Sequence, residues 1–166
     1  MKRIVISSLL LCAGCQNDSD AQMPKDVLYQ AGGLWEIKTQ LVDIDGMDEA
    51  EASELIARTN ASNSNASFQE CRPELTFAQS PKIGDIMDVG KDANLTCKYE
   101  SVAYRAASLK AKTICRNTDG NEVAQISMAG EQSAKAYQID IITSHAGGVS
   151  NTVEEQGRLI GPCPKN

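Results

Sequence analysis

The sequence predicts a mainly β protein, an antiparallel meander forming a curved sheet or partly open barrel, with one short helix near residues 48–59. Three observations predict it. From Leu95 onward, apolar-alternating runs of about eight residues recur between turn-forming stretches, the pattern of successive antiparallel strands. A period of two also runs from Trp35 to Leu41, as in a strand with one buried face. Only the stretch from about Asp48 to Thr59 carries the start signals of a helix.

In chain order, the first fifteen residues read as an export signal. Lys2 and Arg3 supply the positive start, Ile4 to Leu11 a short apolar run, and Ala13-Gly14 the small residues that precede cleavage. Cys15 follows at once, as in a bacterial lipobox, although Cys12 stands where such boxes usually carry Leu. The alternative is plain secretion with cleavage near Ala13. A membrane-spanning helix fails on length, since a bilayer needs roughly 20 apolar residues. Residues 1–14 are therefore expected to be a lipoprotein signal peptide, 15–31 a flexible tether, and 32–166 a single disulfide-linked β domain. Lipidated Cys15 is the expected membrane anchor, and Gln16, not being Asp, permits sorting to the outer membrane of a Gram-negative cell, facing the periplasm.

Removal of Lys2 and Arg3 with the leader takes the formal charge from −6 to −8. So acidic a chain repels phosphate backbones and anionic lipid headgroups, so no nucleic-acid partner is expected and membrane attachment is expected from the acyl chains alone. The cysteines left after Cys15 are Cys71, Cys97, Cys115 and Cys163, an even set that fits two disulfides in an oxidising compartment. Cys12 and Cys15 have thioredoxin-like spacing, but within an export signal that spacing carries no redox reading.

Order is expected to begin at Gly32-Gly33-Leu34-Trp35-Glu36. Asp43-x-Asp45-Gly46 invites a calcium reading, yet an EF-hand frame with Gly46 at position 6 puts Leu41 at position 1 and Ala52 at position 12. No metal site follows. The stretch reads instead as a turn and then a helix, with Asp48 as cap, Glu51 three residues on, and Met47 stapling onto Ala52. Asn60 to Asn65 closes it as a polar loop. Ser67 to Arg72 is a short strand, and Pro73 to Asn94 a surface connection.

The meander strands are expected at Leu95–Tyr104, Ser108–Arg116, Glu122–Ala129, Ala134–Ser144 and Ser150–Ile160. A turn centred on residue 106 sets Cys97 opposite Cys115, Tyr99 opposite Thr113 and Glu100 opposite Lys112. Such cross-strand pairs are favourable, and directly opposed cysteines lie within disulfide reach. The expected bridges are Cys97–Cys115 and, from the remaining pair, Cys71–Cys163.

Gly33-Leu34-Trp35-Glu36, Cys71-Arg72-Pro73-Glu74, the pair Cys97 and Cys115, and Gly157-Arg158-Leu159-Ile160-Gly161-Pro162-Cys163 together resemble the bacterial domain-of-unknown-function family 3617. The resemblance covers about Gly32 to Cys163, with Gly32 where the family usually has Pro. It implies a small exported, largely β domain and carries no catalytic residues. More loosely, Gly33-x-Trp35 with Arg158 is similar to the lipocalin arrangement in which an Arg covers a Trp at a barrel base. A contact between Trp35 and Arg158 is expected on that ground, against the alternative of a core Trp35 and a solvated Arg158.

His145 is the single histidine and falls in a turn, with no nucleophile motif around it. Gly32-Gly33 precedes a strand, the wrong context for a phosphate loop. No enzyme and no cofactor are expected. What remains is a non-catalytic envelope lipoprotein that binds an envelope protein or the cell wall, or alternatively a lipocalin-like carrier of a small apolar ligand. Two Phe, four Tyr and one Trp make a poor pocket lining, which favours the first.

Overall fold

A computed structural model of the chain describes residues 28–62, 67–87, 94–105 and 107–164. The expected signal peptide, the lipidation site Cys15 and the tether as far as residue 27 lie outside the described residues. The strands are β1 (Leu28–Gln30), β2 (Gly33–Asp45), β3 (Ser67–Arg72), β4 (Leu75–Thr76), β5 (Ile86–Met87), β6 (Leu95–Arg105), β7 (Ser108–Asn117), β8 (Glu122–Gln132), β9 (Ala136–His145) and β10 (Ser150–Gly161). One helix, α1 (Glu49–Ser62), and a single 3-10 turn (Phe77–Gln79) complete the described elements.

Eight strands form one antiparallel sheet in the order β3-β2-β10-β9-β8-β7-β6-β5, curled into a half-barrel. The meander from β6 to β10 is as the alternation implies. Far apart in sequence, β2 and β10 meet in mid-sheet, paired from Leu34 with Gly161 to Asp45 with Ser150. The barrel stays open because β3 and β5 are its two edges and do not pair.

Period-two patterning makes the sheet two-faced. One face carries Trp35, Ile37, Leu109, Ala111, Thr113, Cys97 and Cys115, all buried. Trp35 and Ile37 are 1% and 0% exposed. Side chains from β3 and β9 meet over this face with two strands between them, which marks it as the inside of the curl. The other face is mostly polar.

The β6–β7 hairpin pairs Cys97 with Cys115 and Tyr99 with Thr113, but from Ser101 opposite Lys112 onward the register is shifted by one. The cause is a bulge at Glu100, needed because the hairpin closes with Arg105 opposite Ser108 rather than around a single central residue. Glu100 still reaches Lys112 Nζ at 2.7 Å. Disulfides join Cys97 to Cys115, with Cα atoms 3.9 Å apart, and Cys71 to Cys163, 5.7 Å apart.

Helix α1 starts after Asp48, whose Oδ1 accepts from the amides of Ala50 (2.9 Å) and Glu51 (3.3 Å). Met47 is exposed rather than stapled, and Ala52 is the residue the helix buries as it packs on β2. The helix runs past Thr59 because Asn60 is not a loop residue. Its side chain accepts from the Leu41 amide (3.1 Å) and donates to the Leu41 carbonyl (2.7 Å), supplying that residue with the partner a neighbouring strand would give. Gly46, at φ 87°, makes the preceding turn, where a Cβ would collide with the Gly148 carbonyl.

Two further expectations need correction. Order begins before Gly32: Leu28–Gln30 at the end of the expected tether pairs with β4. Three residues are too few to show a period, and an aromatic trio holds them. Tyr29, Phe77 and Tyr104 meet pairwise edge-on, with ring centroids 5.3–5.5 Å apart. The connection from Pro73 likewise contains β4, the 3-10 turn and β5.

Candidate functional site

The inner face carries its densest side-chain network where β3, β2, β10 and β9 lie together. Trp35 stands on β2, and its Nε1 donates to the Ala31 carbonyl at 3.0 Å, so the chain just before the strand folds over its indole. Arg72, at the end of β3, lays its guanidinium 5.7 Å from the Trp35 ring centroid and 5.5 Å from that of Tyr137. Both are cation–π distances. Arg72 also donates to Glu70 through Nε and to the Tyr137 hydroxyl through Nη1 (3.3 Å). The Tyr137 hydroxyl in turn donates to Glu155 at 2.7 Å.

Tyr137 reaches this position because its partner on β10 is Gly157. A Cβ at Gly157 would lie under 3.0 Å from three atoms of the Tyr137 side chain, so the ring lies where a side chain would otherwise stand. Trp35 and Tyr137, on strands flanking β10, then come within 6.0 Å, centroid to centroid. Burial, and after it the bond to Glu155, raises the Tyr137 hydroxyl well above its ordinary pKa. Burial alone would lower Arg72, but Glu70 and Tyr137 outweigh it and the guanidinium is held more firmly charged. With two rings, a carboxylate and a hydroxyl about it, Arg72 is a fixed joint between edge strand and mid-sheet.

Trp35 is therefore covered by an arginine, though not by Arg158. In the β2–β10 register Leu159 opposes Trp35 and Arg158 opposes Glu36. Neighbouring residues of a strand point to opposite faces. Arg158 thus lies on the outer face, where its Nε meets Glu36 Oε2 at 2.7 Å with two-thirds of the side chain exposed. The clue to Arg72 was its place beside Cys71, which the bridge to Cys163 ties next to the sheet's middle strands. Nothing in the sequence singled out Tyr137 or Glu155 from the other inward positions of their strands.

Beyond this network the inner face is apolar and half-covered. Ile126 and Met128 of β8, Ile139 and Ile141 of β9, Val153 of β10 and Val102 of β6 are each partly exposed. The far end is closed by the buried Cys97–Cys115 bridge with Ala124, against which Met87, Val123 and Ile126 pack. Thr113, also facing inward, is 0% exposed, and its hydroxyl has no hydrogen-bond partner among the described residues. His145 is exposed at the end of β9, where its backbone closes the turn to Val149 (2.9 Å). The arrangement offers a curved apolar surface that can take up an apolar partner, fixed at one end by a satisfied polar network.

A family model described as a protein of unknown function (DUF3617) matches residues 30–163. No curated protein and no solved structure matches the chain.

Proposed function

Since the chain belongs to the DUF3617 family, we propose from its surfaces that it is a non-catalytic binding module of the bacterial cell envelope, lipid-anchored through Cys15. The observation that carries the binding role is the half-covered apolar inner face of an open half-barrel, lined by Ile126, Met128, Ile139, Ile141 and Val153. Apolar surface of that kind is retained where something is to be bound. The Lys2-Arg3, Ile4–Leu11 and Ala13-Gly14-Cys15 succession supports the anchor, and with it a place at the outer membrane facing the periplasm. Two disulfides within one small domain suit that oxidising compartment.

The partner on this reading is another envelope protein or the cell wall. A second reading, carriage of a small apolar ligand, is favoured by the curl of the sheet around those same residues. Native mass spectrometry of the protein purified from its own host separates the two: a retained small apolar molecule selects the carrier, a co-purifying protein the module. Cell fractionation of Cys15→Ala tests the anchor, which is refuted if that variant is processed and partitions as the parent does.

A further inference from the structure

Net charge makes the whole chain unfriendly to anionic partners, yet the fold sorts its cations. On β6 and β7 the inward positions include Cys97, Tyr99, Val102 and Tyr104, and Leu109, Ala111, Thr113 and Cys115. Alternation then places Lys98 and Arg105 of β6, and Lys110, Lys112 and Arg116 of β7, on the outer face. All but half-buried Lys112 are exposed. Among the described residues, Glu100, paired with Lys112, is the acid within the stripe, Arg105 is itself engaged, and Glu122 and Glu131 stand at the β8 border. At physiological salt, charges are felt over about 8 Å, so an approaching surface meets this stripe rather than the molecule's average.

The opposite border adds aliphatic side chains. The turn from Lys82 to Asp85 is tied down by the Asp85 amide on the Lys82 carbonyl (3.1 Å) and the Lys82 amide on Asp85 Oδ2 (2.8 Å). Two further bonds fix it to β6, Gly84 N to Tyr99 O (2.8 Å) and Tyr99 N to Asp85 O (3.1 Å). So held, it presents Ile83 at 69% exposure and, just beyond it, Ile86 at 68%. Ile86 stands directly opposite Lys98 in the β5–β6 register, on the same face as the cations.

We infer that this outer face of β5, β6 and β7 docks on an anionic phospholipid bilayer, its cations meeting headgroup phosphates and Ile83 and Ile86 entering the interface. Charge complementarity identifies an anionic surface. The choice of a bilayer over an acidic protein rests on the anchor proposed above. Cys15 and Leu28 are 13 residues apart, so whatever path the chain takes they are at most about 45 Å apart. A domain held that close to a membrane needs only weak contacts to settle on it.

Co-sedimentation of the full, non-acylated chain with phosphatidylcholine vesicles, with and without phosphatidylglycerol, tests the docking. Lys110→Glu together with Lys112→Glu should lower the partition onto anionic vesicles about thirtyfold or more. Ile83→Ser with Ile86→Ser should weaken binding at unchanged charge. Lys110, Ile83 and Ile86 are exposed and Lys112 is half-buried beside Glu100, and unchanged Trp35 emission verifies that each variant is folded. Every variant keeps the same N-terminus, so any contribution of Lys2 and Arg3 cancels. Equal binding of parent and charge-reversed chains overturns the inference, as does binding that ignores the phosphatidylglycerol content. Absence of vesicle binding, with capture of an acidic protein that the same substitutions abolish, assigns the face to a protein and also overturns it. The assay uses no acyl chain, so its failure and that of the Cys15 anchor are read separately.

Discussion

Replacing Arg72 with alanine should uncover Trp35, and replacing Arg158 should not. The guanidinium of Arg72 lies 5.7 and 5.5 Å from the Trp35 and Tyr137 rings, contacts worth about 0.5–2 kcal/mol each. Its bond to Glu70 adds little, since that carboxylate side chain is 43% exposed and solvent screens it. The bond to Tyr137 adds about 1 kcal/mol. Arg72→Ala should therefore destabilise by about 2–5 kcal/mol, or roughly 6–20 °C in a domain of this size. Arg158 has only its exposed pair with Glu36 to lose, worth about 0–1 kcal/mol. Trp35 is the single tryptophan, so emission and urea unfolding report this site directly. Arg72→Ala should shift emission to the red, and Arg72→Lys should fall between it and the parent because an ammonium cannot stack as a plane. A red shift in Arg158→Ala, or none in Arg72→Ala, would refute the assignment.

Other expectations concern the same inner face. Gly157→Ala should cost about 1–3 kcal/mol through its collision with Tyr137, and much less when Tyr137→Ala is already present, a non-additivity that urea titration of the four chains measures. Thr113→Val should raise the unfolding free energy by about 1 kcal/mol, read from urea titration, because it removes a buried hydroxyl without a partner among the described residues. Burial, the largest cause in each case, raises the Tyr99, Tyr104 and Tyr137 hydroxyls above the ordinary value of 10.0. The stability of their neutral forms is fully present below about pH 10 and lost as pH rises beyond it, since the unfolded chain gives up these protons first. Urea midpoints measured across that range should fall, and fall less steeply in a Tyr104→Phe, Tyr137→Phe chain.

Much of the sheet was legible because its signals are local. The alternation that marks β6 to β10 and the cap at Asp48 each depend on residues a few positions apart. The turn centred on residue 106 gives the right register at Cys97 only because the bulge at Glu100 offsets the two-residue closure between Arg105 and Ser108, which nothing local distinguishes from a three-residue one. Of the two readings of Trp35, the core one with an exposed Arg158 fits the geometry, and its cover by Arg72 is, for a different reason, not legible. The lipocalin-like arrangement implies an arginine over Trp35, but which residue covers the indole depends on a one-residue register that also decides the face. Arg72 comes from a third strand, β3, and it is Tyr137 that reaches it over Gly157. The short pairing of β1 with β4 depends on the meeting of Tyr29, Phe77 and Tyr104, residues that span most of the first two-thirds of the chain.

The pairing of β2 with β10 bears on when this protein can fold. These strands come from opposite ends of the domain, yet they occupy the middle of the sheet, and β2 is the strand with which β3 pairs. Until the last strand is present, β2 and β3 are a detached ribbon and β9 is an open edge. Such long-range closure is slow, because a large loop must be ordered before its contacts form. Cys71 likewise waits 92 residues for Cys163. A chain with this topology stays incomplete throughout its own synthesis, and loss of its last strand would remove the sheet's centre rather than trim its border.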